Sequence, residues 1–140
     1  MRYAQTTLEA EDILQNGFIK VFTKHDLYTG VGSLEGWIKR VMVNTAIEQY
    51  RQNRNKYFES IDQHENLTIE SDFKADHLSY KELLNLIQSL PEGYRTIFNL
   101  YVIEGYNHKE IADMLQISEG NSKSQLSRAK QWLQKRIENN

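Results

Sequence analysis

The chain has no cysteine, one proline and seven glycines in 140 residues. Without thiols it can hold no disulfide scaffold, no thiolate zinc site and no cysteine nucleophile. So few turn formers leave little room for hairpins, and no pair of alternating strand patterns flanks a short turn. Long apolar runs are missing too. No stretch approaches the ~20 residues that a membrane-spanning helix needs. The opening MRYAQTTLEAED lacks the apolar core of a secretory signal. These absences predict an all-α, cytoplasmic protein with no membrane insertion.

The net charge is only -2, which by itself argues against a polyanion as partner, but the charge is unevenly spread. Lys39, Arg40, Arg51, Arg54 and Lys56 face a single acid, Glu48, between Gly36 and Lys56. Lys123, Arg128, Lys130, Lys135 and Arg136 face Glu119 alone between Glu119 and Arg136. Between the two lies an acidic stretch with Glu59, Asp62, Glu65, Glu70, Asp72, Asp76 and Glu82. Two basic segments separated by an acidic connector suit a two-site polyanion binder. The same runs also suit plain solvated faces.

Periodicity divides the chain into two helical domains, residues 1–54 and 76–140, with a linker over 55–75. Thr6 and Glu9 form a capping-box pattern ahead of a helix from about Leu8 to Lys24, whose apolar set includes Leu14, Phe18, Val21 and Phe22. HDLYTGVGS reads as a loop; its lone G-x-G follows no strand and gives no nucleotide-binding signal. Ser33 caps a second helix to about Gln52, with Leu34, Trp37, Ile38, Val41 and Tyr50 among its apolar positions. Leu83, Leu84, Ile87 and Leu90 recur at helical spacing, and Pro91 suits the first turn of a helix burying Tyr94, Ile97, Phe98 and Tyr101. Gly105 falls where a positive φ ends that helix.

The sharpest pattern follows. Asn107 and Glu110 open a short helix with Ile111, Ala112 and Leu115 inward, and Ser118 caps a long one after the turn Gln116-Ile117. That arrangement predicts a helix-turn-helix. On its second helix Ser122, Leu126, Ala129, Leu133 and Ile137 share the core face, while Ser124, Arg128, Gln131 and Lys135 point away. Lys123, Ser124, Gln125, Ser127 and Arg128 occupy the turns that enter a major groove, where Arg reads guanine and Gln reads adenine. Lys130, Lys135 and Arg136 come later, where backbone phosphates pass. A solvated bundle helix is the bland alternative. Trp37 and Trp132 read as packing residues in either case.

No catalytic constellation is present. His25, His64, His77 and His108 have no second ligand at helical metal spacing, and His108 is expected to face solvent. The carboxylates sit in caps and linker. No enzyme activity, metal or cofactor is expected.

Three blocks resemble the extracytoplasmic-function group of bacterial RNA polymerase sigma factors. Glu9–Phe22 resembles the helix that docks on the polymerase β′ clamp, Ser33–Arg51 the helix that melts and reads the −10 element, and Leu90–Leu133 the domain that reads the −35 element. The resemblance implies core polymerase (β′ and β subunits), promoter DNA and a cognate anti-sigma protein as partners. It implies that Asp12, Gln15, Phe18 and Lys20 meet polymerase. Asn44 would hold an extruded −10 base with the Tyr28–Ser33 loop beside it, and Lys39, Arg40 and Arg51 would also lie on −10 DNA. Asn121, Lys123, Ser124, Gln125, Ser127, Arg128, Lys130 and Lys135 would lie on −35 DNA. Members of the family carry a further helix ahead of the docking helix, of which Arg2-Tyr3-Ala4 would be the last residues. They commonly read Gly-Thr where this chain has Gly120-Asn121, an expected source of altered −35 preference. The rival readings are a dimeric helix-turn-helix regulator that binds operators without polymerase, and a helical interaction module.

Overall fold

The computed structural model describes residues 2–56 and 78–139. The acidic linker expected over 55–75, together with His64 and His77, therefore lies almost entirely outside the described residues. Among those described there are six α-helices and no strand. The chain divides into two compact units, one holding the first two helices and the other the remaining four.

In the first unit, α1 spans Thr7–Thr23 and α2 spans Leu34–Lys56. The Thr6 hydroxyl accepts from the Glu9 amide, as the pattern predicts, but the Glu9 carboxylate reaches back to the Gln5 N–H rather than to that of Thr6. Ser33 accepts from the Gly36 amide and opens α2, which runs four residues past its expected end at Gln52. The loop between them begins with a 3-10 turn, His25–Leu27. Gly30 and Gly32 take φ of 75° and 80°, conformations that cost a side chain dearly. The Tyr28 hydroxyl donates to the Gly32 carbonyl and its ring lies 5.9 Å from that of Trp37, which pins the loop to the start of α2.

The apolar set expected to bury α1 does not do so. Leu14 and Phe18 are each 48% exposed and Phe22 is 74% exposed. Gly17 is the buried residue of α1, because a Cβ there would stand 2.2 Å from the Met42 sulfur. The helices approach closely along this glycine, and the larger apolar side chains are left on the far side.

In the second unit, α3 is Tyr80–Gln88, opened by a full capping box between Ser79 and Glu82. Pro91 stands at the N-cap of α4, Glu92–Phe98, one place before the expected first turn. Arg95, inside α4, is buried and donates to the Gln88 carbonyl at 3.0 Å, satisfying an orphan acceptor at the end of α3. From Asn99 to Ile103 the helix widens into a π turn, with the Glu104 amide donating five residues back to Asn99. That extra residue carries Tyr101 outward, where burial was expected. Gly105 has the predicted positive φ, 81°.

The helix-turn-helix follows the sequence reading closely. Helix α5 is His108–Leu115 with the Asn107–Glu110 capping box intact. Gln116, at φ 56° and ψ 48°, makes the left-handed turn. Ser118 accepts from the Asn121 amide and opens α6, Glu119–Glu138. Ile111, Ala112, Leu115, Leu126, Ala129 and Leu133 are buried together with Ile97, Phe98 and Leu100.

Candidate nucleic-acid interface

The start of α6 combines three features that a phosphate backbone recognises: a helix N-terminus, hydroxyl and amide side chains, and cations. Lys123 is exposed and lies 3.8 Å from Glu119, one turn back. Gln125 donates to Asn121 Oδ1 at 2.8 Å, so these two present one linked polar surface. Ser124, Ser127 and Arg128 are half-buried rather than fully solvated. Lys130 is half-buried as well, and Lys135 is exposed near the far end. There Arg136 covers the Trp132 ring at 4.1 Å, and both line a groove with Leu86 of α3. Trp132 is partly packed, as expected.

Of the −10 candidates, Asn44, Lys39 and Arg40 are exposed and Arg51 is half-buried, all on α2. Lys39 pairs with Glu35 at 3.3 Å, a surface pair of small energetic weight that yields easily to a phosphate. Of the polymerase candidates, Asp12, Gln15 and Phe18 are exposed on α1. At 100° per residue Gln15 falls within the exposed apolar face that Phe18 joins, and Asp12 lies at its edge. Lys20 is set apart: it turns toward α2 and forms an ion pair with Glu48.

His108 corrects its sequence reading. It is half-buried, its Nδ1 2.9 Å from Ser122 Oγ, and its ring stacks on Tyr101. Pairs fourteen residues apart leave no signal in local periodicity; the clue was a serine on an otherwise apolar core face. Among the described residues no cluster of His, Asp or Glu could hold a metal.

Paired helical units, one ending in a helix-turn-helix with a cationic second helix, define a sigma-type promoter-recognition protein. Residues 1–56 match the family described as Sigma-70 region 2, and residues 76–133 that described as Sigma-70, region 4. ECF RNA polymerase sigma factor SigW of Bacillus subtilis is 30% identical over 141 residues, spanning 92% of this chain and 75% of its own. SigM of the same organism is 31% identical over 128 residues, spanning 89% and 77%. The fold also resembles the sigma factor RpoE, solved in complex with the anti-sigma factor NepR from Bartonella quintana. There the TM-score is 0.58 at 19% identity, over 98% of this chain and 86% of that one. The chain belongs to the extracytoplasmic-function group of the sigma-70 family. It binds core RNA polymerase and directs it to promoters through −10 and −35 elements, rather than acting as an operator-binding regulator.

Proposed function

We propose a division of labour among three exposed faces. The face of α1 with Asp12, Gln15 and Phe18 docks on the β′ subunit, and the second unit meets the β subunit. Helix α2 offers Asn44 to an extruded −10 base, while Lys39, Arg40 and Arg51 hold the strand by its phosphates. Extruding a base costs a few kcal/mol, which a polar pocket among cations can offset. The early turns of α6 read the −35 element through Asn121, Lys123, Ser124, Gln125, Ser127 and Arg128, with Lys130 and Lys135 on the backbone. The observation that carries this reading is the polar N-terminal surface of α6, with Asn121 and Gln125 bonded to each other on one flank and Lys123 exposed on the other.

The protein works without catalysis or a cofactor of its own, in the cytoplasm. A cognate anti-sigma protein is part of the proposal, by analogy with the NepR complex of the Bartonella relative. Run-off transcription with purified core polymerase and a promoter library tests the whole. Transcripts are expected to start downstream of a shared −35/−10 pair. Asp12→Lys combined with Gln15→Ala is expected to abolish co-purification with core polymerase at unchanged helical circular dichroism. Undiminished co-purification would remove α1 from the docking role.

A further inference from the structure

The helix-turn-helix holds a titratable side chain that the three faces leave without a part. His108 opens α5, and its ring is fixed on two sides: Nδ1 lies 2.9 Å from Ser122 Oγ, and Tyr101 stacks on it with centroids 4.5 Å apart and planes 20° from parallel. Ser122 is 0% exposed, so its hydroxyl must find a partner inside the protein. The bond thereby ties the N-terminus of α5 to the end of the first turn of α6, next to Lys123. The charged groups that act on the ring come from α6 and are Lys123, Lys130 and Glu119. The π turn contributes the Tyr101 phenol. On its own helix Lys109 follows, and Glu110 is engaged in the cap.

We propose that His108 is a proton-linked phosphate contact: promoter DNA lying along Lys123 and Lys130 draws a proton onto the imidazole, which becomes a third cation held in place by Ser122 and Tyr101. The inference rests on the reading of α6 as the DNA-contacting helix. In the free protein, burial holds the His108 pKa below its ordinary value; Lys123 and Lys130 push the same way and Glu119 opposes them. The ring is therefore neutral through neutral pH. Phosphates beside the two lysines reverse the sign of the local field, and the charged form becomes the favoured one.

The hydrogen bond survives the change. A neutral ring with its proton on Nε2 accepts the Ser122 hydroxyl at Nδ1. The imidazolium donates from Nδ1 to Ser122 Oγ, and the hydroxyl turns to a carbonyl one turn back on α6. The added proton comes from solvent. Binding then takes up a proton, so affinity rises as pH falls between the pKa of the bound and free states.

Holoenzyme assembled from this chain and core polymerase, titrated into a labelled promoter duplex at fixed salt, gives an affinity at about pH 6 and at about pH 8. His108→Asn places an N–H where Nδ1 stands and cannot titrate. The acid-to-neutral affinity ratio of the wild type is expected to exceed that of His108→Asn by about threefold or more, within the limit of tenfold per pH unit for one proton. Equal ratios overturn the proposal. Replacing His25, His64 and His77 together by Asn is expected to keep the wild-type ratio; loss of the ratio there instead also overturns it. Should His108→Asn not fold, the His108 ring resonance of the full wild-type chain is followed through pH with and without the −35 duplex. A pKa raised by DNA supports the linkage and an unmoved one refutes it. Lys123→Ala and Arg128→Ala separate the two readings: if neither weakens promoter binding, the assignment of α6 fails and the proposal with it. If both weaken it while the acid ratios stay equal, only the proton linkage falls.

Discussion

Arg128 lies opposite the Leu126–Leu133 core face and two turns from the start of α6, close enough to the N-terminus to reach a base edge. Arg128→Ala is expected to cost ~1–3 kcal/mol on the preferred −35 sequence and to flatten discrimination at one base position. Lys135, exposed and two turns later, suits a phosphate. Lys135→Ala should weaken binding on every sequence alike and lower the slope of log affinity against log salt by roughly one. Salt titrations of holoenzyme on matched and scrambled duplexes read both; equal losses for Arg128→Ala on the two duplexes would make it a phosphate clamp. Among the described residues, Glu82 and His108 link the stability of the free protein to acid with one sign. The Ser79 hydroxyl and backbone amide hold the Glu82 pKa below its usual value, so its contribution is present above the carboxylate range and lost as pH falls through it. His108 is held below the ordinary imidazole value, so the unfolded chain binds its proton first and stability falls on acidification into that range as well. Urea midpoints against pH are expected to show two steps, the lower flattened by Glu82→Gln and the upper by His108→Asn. A single step untouched by either variant would refute this account.

At the scale of elements, the turn and the close approach carry the tests. Gln116 holds a left-handed conformation that costs an L-residue roughly 1–2 kcal/mol, and which glycine adopts freely. Gln116→Gly is expected to raise the thermal midpoint of unfolding, unless the entropy that glycine returns to the unfolded chain cancels the gain; Gln116→Val should lower it in either case. Gly17→Val should force the Met42 side-chain end aside and loosen the packing of α1 on α2, because its first side-chain atom meets the Met42 sulfur. Loss of α1 protection in hydrogen exchange would report it. Caps made the helix starts legible in the sequence. Asn107 with Glu110, and Ser118 with Asn121, satisfy orphan amides through side chains at fixed short spacing. The Ser79–Glu82 box was equally available but passed unread beside the acidic stretch. The packing face of α1 was not legible, since what defines it is a missing Cβ at Gly17, and apolar periodicity records only side chains that are there. The π turn at Asn99–Ile103 leaves no composition signal, because widening a helix by one residue needs no special residue type. Of the candidate sites, α6 was readable because one amphipathic helix carries most of it. The ion pair of Lys20 was not legible, since no sequence sign tells that Glu48 stands opposite it.

The whole molecule shows two small helical units with different relations to water. In the second, Ile97, Leu100, Ile111, Leu115 and Leu133 are fully enclosed, and Arg95 closes the end of α3. Arg95→Met, which keeps the stem but drops the charge-assisted bond, is expected to cost about 1.5–3 kcal/mol in urea unfolding. In the first unit α1 leaves Leu8, Leu14, Phe18, Ile19 and Phe22 in water. They recur on one side of the helix, interspersed with exposed Glu11 and Gln15. Wetted apolar area of this kind makes the free chain's lifetime in solution a matter of concentration. Light scattering from the purified protein should rise with protein concentration and with ammonium sulfate, and fall back when an equimolar amount of core polymerase is added. Scattering flat across that range would mean this face is already covered by some other means. Were the free form sticky and the bound one soluble, surplus chain would be self-limiting: whatever polymerase did not take up would be drawn toward aggregation and proteolysis, and its active dose would follow the supply of the enzyme that shelters it.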